Sequence, residues 1–291
     1  MEDRSKKIEP KPQLHQSQLQ TLWRCGIQFE RRYIKGQKIA PGIASIVGTS
    51  VHRVASVNLQ HKVERKTLLP IEAVTEIARD SLVKSWNENG VRLLPEEQAD
   101  GLKKVRGQAI DRTILLSTLH ATELAPKLKP AKDGIDKKFV ITVKDSKFDL
   151  AGETDLEEKD TTLRDLKTWS HNRGQAEADR SEQLSFYSLN QKVQTGKLPK
   201  KVAIDALVDY KQGPKVVTLE SQRDMKDIEV SLARFRNAVK IIEKGAFTPA
   251  SQSDWWCSRR FCGFSDTCEY FRGRETVSVK GLKKGVGTNG K

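Results

Sequence analysis

The chain has 291 residues, a formal net charge of +14 at pH 7 and a charged fraction of 31%. It contains neither an apolar run of the ~18 residues that a membrane-spanning helix needs nor an apolar signal peptide, which argues against an integral membrane protein and predicts a cytoplasmic one. The basic excess predicts an anionic partner, either nucleic acid or a membrane surface.

The first half of the chain has the periodicity of helices. Apolar residues recur at helical spacing over about 70–88 and 96–125, which predicts a helical insertion at about 65–130. No change of composition divides the chain, so we expect a single domain at 15–272. The segments 1–14 and 273–291 are polar and basic, which predicts flexible ends.

After Pro130 the pattern changes to that of strands. KKFVITV, KFDLAGETDLEE and TLRDLKTW are short, β-branched or alternating, and typical of antiparallel strands. A helix is predicted at about 175–193, then strands in KKVAIDALVDY and KVVTLE, and a last helix at about 223–244. This order predicts an α/β or α+β fold, in which helices flank a central mixed β-sheet with its core at about 137–220.

The segment GETDLEEKDTTLRDLKTW contains two aspartates, Asp155 and Asp165, ten residues apart. If the turn is centred near Asp160, they are cross-strand neighbours with Cβ atoms roughly 4.5–5.5 Å apart. Lys167 shares the face of Asp165, because side chains two apart in a strand point the same way. Converging carboxylates need a cation, and hard oxygen ligands suit Mg²⁺ or Mn²⁺. The pattern predicts metal-dependent phosphodiester hydrolysis.

The alternative is an exposed hairpin whose charges are merely solvated. That interpretation suits the residues of the turn itself, from Glu157 to Asp160. Leu163 and Trp169, however, share the face of Asp165 in a strand, which indicates a partly enclosed setting.

This pattern resembles the PD-(D/E)XK nuclease superfamily, and in particular its RecB-like branch. Gly152 and Asp155 match the GxxD strand of that branch, and Asp165 and Lys167 match its DxK strand. Upstream, GTSVHR places His52 in the first turns of a helix, as the branch places its metal-binding histidine. The resemblance implies a restriction-endonuclease-like core with an added helical N-terminal part.

A further match lies in EQLSFYSL, where Gln183 and Tyr187 are four residues apart on one helical face, like the branch's QxxxY signature. The resemblance implies that Lys167 orients or activates the attacking water. Gln183 and Tyr187 would steady Lys167 or contact the DNA backbone.

The resemblance also implies a set of metal ligands. These are Asp155, Asp165, His52 and the backbone carbonyl of Leu166. One position departs from the family pattern: many relatives carry an acid just after the motif histidine, whereas Arg53 stands there in this chain. An additional carboxylate ligand from this helix is therefore not expected.

Four cysteines, one early and three late, form a second candidate site: Cys25, Cys257, Cys262 and Cys268. In a reducing compartment such a set binds metal more often than it forms disulfides. The split resembles AddB-type and CRISPR-associated iron-sulfur nucleases, in which four thiolates hold a [4Fe-4S] cluster as a structural staple. The first late pair has four intervening residues, against two in the tightest family spacing. A Zn²⁺ site and free buried cysteines are the alternatives.

The activity implied by the resemblance is that of a Mg²⁺- or Mn²⁺-dependent exonuclease on single-stranded DNA or DNA ends. Repair, recombination, phage replication and CRISPR adaptation are all compatible with it. Arg31, Arg32, Lys35 and the turn at 258–260 would contact phosphates without reading sequence. The alternative is a non-catalytic DNA-binding or assembly module of the same fold. A membrane-surface protein is disfavoured, because the chain has no Lys-rich amphipathic helix with a strong apolar face.

Overall fold

A computed structural model describes residues 11–251 and 253–272, and its centre is a six-stranded mixed sheet. The strands are β1 (Gln13–His15), β2 (Pro130–Ile141), β3 (Asp149–Glu158), β4 (Leu163–Trp169), β5 (Val202–Tyr210) and β6 (Gly213–Ser221). The helices are α1 (Gln16–Arg24), α2 (Gly26–Phe29), α3 (Ile43–Arg65), α4 (Ile71–Asn89), α5 (Pro95–Asp100), α6 (Leu102–Leu119), α7 (Ala176–Asp179), α8 (Glu182–Thr195) and α9 (Met225–Lys244). Short helical turns lie at Glu30–Ile34, His120–Leu124 and Ser265–Thr267.

The strand order is β1-β3-β4-β5-β6, and β2 pairs with the other edge of β3. The β1–β3 and β4–β5 pairs are parallel, and the other pairs are antiparallel. On one edge, β3 pairs with β1 at residues 149–151 and with β4 at residues 156–157. Residues 152–155 therefore have no strand partner on that edge, which leaves a gap in the sheet.

Helices cover both faces of the sheet. One face packs against α1, α8 and α9 through residues such as Leu19 and Phe186. The other face packs against α3, α4 and α6 through residues such as Val51 and Leu116. The first seven residues of β5, VAIDALV, are buried throughout, as expected for a central strand covered on both sides. The predicted α/β architecture, a central mixed sheet flanked by helices, is confirmed.

Two boundaries differ from the sequence expectation. Gln13 and Leu14, which we assigned to the flexible N-terminal segment, form β1 beside β3. β2 begins at Pro130, earlier than the predicted core start at about 137. The other predicted domain bounds stay predictions, and the ends 1–10 and 273–291 lie outside the described residues. Within the described ranges, every helix is too short or too polar to cross a bilayer.

Candidate active site

The gap in the sheet brings the two aspartates of the hairpin together. The ladder between β3 and β4 ends at the pair Leu156 and Arg164. One further step in this register brings Asp155 opposite Asp165. At this point a side chain replaces the backbone hydrogen bond that would continue the β3–β4 ladder: Asp155 Oδ2 accepts a hydrogen bond from the Leu166 N–H at 2.8 Å. The carboxylate of Asp155 thus lies in the fork between the two strands.

Asp165 and Lys167 form a partly buried ion pair on the face of β4 toward α8. Asp165 is 1% exposed, and its Oδ2 lies 2.7 Å from Lys167 Nζ. Lys167 Nζ also donates to Gln183 Oε1 of α8 at 3.0 Å. Burial lowers the pKa of Lys167, but the charges of Asp165 and Asp155 outweigh it, so the pKa is raised. Lys167 is therefore a fixed, charged ammonium.

The helix residues Gln183 and Tyr187 complete a ring around this ion pair. Gln183 Nε2 donates to the Tyr187 hydroxyl at 2.6 Å, and that hydroxyl donates to Asp165 Oδ1 at 3.4 Å. Burial and the charge of Asp165 raise the pKa of Tyr187 well above its usual value, so the hydroxyl stays protonated. The ring of Phe139 lies edge-on to that of Tyr187, at 6.3 Å between centroids.

The other side of the fork faces α3. His52 Nδ1 lies 3.5 Å from Asp155 Oδ2. Burial and the charge of Lys167 lower the pKa of His52, although Asp165 and a hydrogen bond with the Leu166 backbone oppose them. A neutral imidazole is the form that can bind a metal ion. The four ligands that the resemblance implies, including the Leu166 backbone, thus come from neighbouring points of β3, β4 and α3.

Asp155 carries the most perturbed carboxyl of the site. Burial and the charge of Asp165 raise its pKa well above the ordinary value, although Lys167 and the Leu166 N–H oppose them. Two carboxylates brought together in this way repel each other, so one of them holds a proton more tightly. A bound cation relieves that repulsion as well. The chemistry of the donor set, carboxylate oxygens with a carbonyl and an imidazole, fits a divalent cation such as Mg²⁺ or Mn²⁺.

Asp136 is a third acid at this site, and our strand prediction, which began at Lys137, missed it. The register of β2 on β3 places Asp136 opposite Asp155. Ser56 Oγ of α3 donates to its Oδ1 at 2.9 Å, and its charge contributes to the raised pKa of Asp155. A non-glycine residue at φ 48° is uncommon within a strand, so no periodicity rule predicts it.

The four cysteines line one cavity between the N-terminal helices and the C-terminal segment. The cavity is about 20 Å³, room for about one water-sized sphere. Burial and the neighbouring thiols raise the pKa of Cys257, and burial likewise raises that of Cys262. A set of four sulfur donors fits either an iron-sulfur cluster or Zn²⁺. In residues 11–251 and 253–272 as they stand, no group of three or more His, Cys, Asp or Glu side chains is placed to hold a metal ion.

Comparison with known proteins agrees with the fold and the motifs. The sequence profile of the PD-(D/E)XK nuclease superfamily matches residues 13–269. The chain therefore belongs to the PD-(D/E)XK nuclease superfamily, whose members typically use divalent metal ions. No curated protein matches the chain.

Two solved structures are similar to the chain. A candidate exonuclease from Eubacterium rectale aligns with a TM-score of 0.49 and 12% identity over 98% of this chain and 100% of that one. A protein designated SSO0001 aligns with a TM-score of 0.34 and 12% identity over 88% of this chain and 96% of that one. Because both TM-scores are below 0.5, the family assignment rests on the sequence profile.

Proposed function

We propose that this chain is a Mg²⁺- or Mn²⁺-dependent deoxyribonuclease of the RecB-like branch. It acts inside the cell as an exonuclease on single-stranded DNA or DNA ends. One observation carries the proposal: the ammonium of Lys167 is held by Asp165 and Gln183 in front of a fork that contains Asp155. A structural hairpin has no need of this arrangement, because an ion pair with a buried carboxylate is costly to assemble.

In the proposed mechanism the divalent ion would be held by Asp155, Asp165, His52 and the Leu166 carbonyl. When bound, that ion supplies positive charge to the phosphoryl oxygens and makes a water more acidic. Lys167 Nζ lies within 3.0 Å of three acceptors, which are both carboxylate oxygens of Asp165 and Oε1 of Gln183. The fixed positive charge of Lys167 would orient the attacking water or stabilise the negative charge that develops on a phosphate oxygen.

Cleavage assays with end-labelled single-stranded and duplex DNA test the activity. We expect shortening in Mg²⁺ or Mn²⁺ and none in EDTA. Asp165→Ala and Lys167→Ala are expected to bind DNA and to cleave at least about 100-fold more slowly, since each removes a group that stabilises the transition state. Lys138→Ala, which removes an exposed lysine of the neighbouring strand, is the matched control and should cleave normally.

Two results would contradict this assignment. Unchanged digestion by Lys167→Ala would mean that a contaminant or another site cleaves the DNA. Binding without any cleavage by the unaltered protein would favour the non-catalytic DNA-binding module instead.

We further propose that the four cysteines hold a [4Fe-4S] cluster, with Zn²⁺ as the second candidate. The shared cavity and the sulfur-only donor set support this proposal. Beside the cysteine cavity, Trp256 Nε1 donates to the Arg24 carbonyl at 3.1 Å. A metal centre bound by the four cysteines would therefore link the N-terminal helices to the segment that contains Trp256.

Chemical analysis of protein purified without oxygen separates the two metals. Iron, labile sulfide and broad visible absorption are expected for the cluster, and Cys25→Ser should lower all three together. Colourless protein loaded with zinc would reject the cluster, and metal-free protein would reject both.

A further inference from the structure

One face of α3 stays open to solvent along nearly the whole helix. Its side chains recur at intervals of three or four residues and are exposed or half-buried: Ser45, Thr49, His52, Ser56, Gln60 and Val63. The opposite face is buried in the core through residues such as Val47 and Val51. At 1.5 Å per residue, the open face is about 27 Å long. His52, at the fork, lies near its middle.

A large basic cavity lies at the N-terminal end of this face, and we name it the arginine cavity. Its volume is about 810 Å³, and Ser45 and Thr49 form part of its wall. Arg32, Lys38 and Arg92 line it, and among the described residues Glu88 is the one acidic side chain that does so. Arg92 donates to the carbonyls of residues 259 and 260, which fixes the cysteine-bearing segment as one wall.

Aromatic rings lie among the cations of the arginine cavity. Tyr33, Phe261 and Phe264 line it, and Phe261 is 51% exposed although it is large and apolar. Exposed rings next to arginines are what a single strand requires, because its unpaired bases stack on aromatic faces while its phosphates meet the cations.

A second cavity, the lysine cavity, lies at the C-terminal end of the same face. Its volume is about 800 Å³, and Gln60 and Val63 of the open face line it. It is also lined by four exposed lysines, Lys66, Lys129, Lys132 and Lys159, and by Lys62. Two acids, Glu64 and Asp133, lie in the same lining, so its formal net charge is +3. None of the four exposed lysines forms an ion pair with another described residue. Unpaired ammonium groups crowded around one cavity repel each other, and an anion relieves that repulsion.

We propose that a single nucleic-acid strand lies along the open face of α3, held at both ends by these two cavities. The strand passes His52 and the fork between them, and the lysine cavity is a second, separate phosphate-binding site. This inference rests on the proposed nuclease function, because it takes the fork as the point of cleavage. At the 3.4 Å rise of one DNA strand, the track accommodates about eight nucleotides.

The length dependence of binding tests the track. Fluorescent single-stranded DNA oligonucleotides of different lengths are titrated with the full chain in EDTA, which prevents cleavage. The affinity is expected to rise with length and to level off near about eight nucleotides. The triple variant Lys129→Gln, Lys132→Gln, Lys159→Gln should bind the shortest oligonucleotides as the unaltered protein does and longer ones about tenfold more weakly. For this variant, the slope of the logarithm of the binding constant against the logarithm of the salt concentration should be smaller by about two, at about 0.7 for each lost phosphate contact.

The matched control removes three charges elsewhere on the surface. Lys197→Gln, Lys211→Gln and Lys215→Gln together change exposed lysines that line neither cavity and form no ion pair with a described residue. This control should retain the length dependence.

Four outcomes would overturn the inference. Equal losses in the two triple variants would mean that net charge matters and the lysine cavity does not. Tighter binding of a duplex than of a strand of equal length would exclude a single-strand track. If the unaltered protein cleaves DNA and the lysine variant keeps its length dependence, the track fails alone, whereas absence of both binding and cleavage would reject the proposed function as well.

Discussion

At the scale of single residues, the candidate site is a lysine held still by its neighbours. Lys167 has a flexible side chain, yet Asp165 and Gln183 fix its ammonium from two elements, β4 and α8. Tyr187 in turn fixes Gln183. Because ordering a free lysine in each catalytic event costs conformational entropy, this prior ordering is what we expect the QxxxY residues to contribute.

The first prediction concerns the hydroxyl of Tyr187. Tyr187→Phe removes the acceptor of the half-buried Gln183 amide, and leaving such a group unsatisfied costs about 1 kcal/mol. We expect a slower single-turnover cleavage and a lower free energy of unfolding in urea, with unchanged DNA affinity in EDTA. Tyr210→Phe, at a half-buried tyrosine at the end of β5, should change neither quantity. A full cleavage rate in Tyr187→Phe would show that the hydroxyl does not act through Lys167.

Part of the site is predictable from the residues because it depends on local geometry. The spacing of Asp155 and Asp165 about a turn predicts their cross-strand register, and the strand period predicts that Lys167 shares a face with Asp165. Asp136 is not predictable in this way, because its left-handed conformation and its contact with Ser56 depend on how α3 packs against β2.

At the scale of elements, the fork depends on how closely β2 packs beside β3. Gly152 lies opposite Phe139 in the ladder, and a Cβ at Gly152 would lie 2.5 Å from Phe139 Cζ. The approaching group that a glycine permits is therefore this aromatic ring, which packs against Tyr187. The glycine of the GxxD motif thus contacts Phe139, and Phe139 contacts Tyr187 of the candidate site.

The second prediction follows from that contact. Gly152→Ala should lower the free energy of unfolding by about 1–3 kcal/mol, because the buried Phe139 ring must move. It should also slow cleavage through Tyr187. Adding Phe139→Leu restores space and should recover part of the stability. Gly107→Ala is the control: a Cβ there meets nothing within 4 Å, and alanine in a helix stabilises by about 0.5–1 kcal/mol. Loss of stability in both alanine variants would contradict the mechanism.

Elements differ in how well the sequence predicts them. The helices α4 and α6 and the β3–β4 hairpin have strong periodicity, and the structure has helices and strands at these positions. β1 spans only three residues, and its parallel pairing joins Gln13 to Asp149. Neither a period nor a turn signal marks so short a strand, and its stabilisation comes from a partner far away in the chain, so sequence reasoning assigned it to a flexible end.

At the scale of the whole molecule, a buried histidine limits stability in acid. His120 is 2% exposed, and burial, assisted by the charge of His52, lowers its pKa from 6.5 to about 4. The folded protein therefore keeps His120 neutral where the unfolded chain would protonate it. Its contribution is present above pH 6.5 and is lost as the pH falls towards about 4, a difference of about 3 kcal/mol.

The third prediction concerns the pH range in which the unfolded chain protonates His120 and the folded protein does not. Between pH 7 and pH 4 the free energy of unfolding in urea should fall more steeply in the unaltered protein than in His120→Asn, by about 3 kcal/mol. His61→Asn, at a half-exposed histidine of α3, is the control and should keep the steep dependence. Parallel pH profiles for the unaltered protein and His120→Asn would show that another group causes the loss.

The union of the two ends of the described chain has a consequence for biosynthesis. Trp256 donates to the Arg24 carbonyl across 232 positions of sequence, and the Gly26 amide donates to the carbonyl of Thr248, which is synthesised long after it. The segment from α1 to α2 therefore makes these contacts only after residues 248–256 have been synthesised. A chain that stops before Thr248 therefore carries every residue of the fork but lacks the partners of Arg24 and Gly26, so we expect proteases to cut it faster than the full chain.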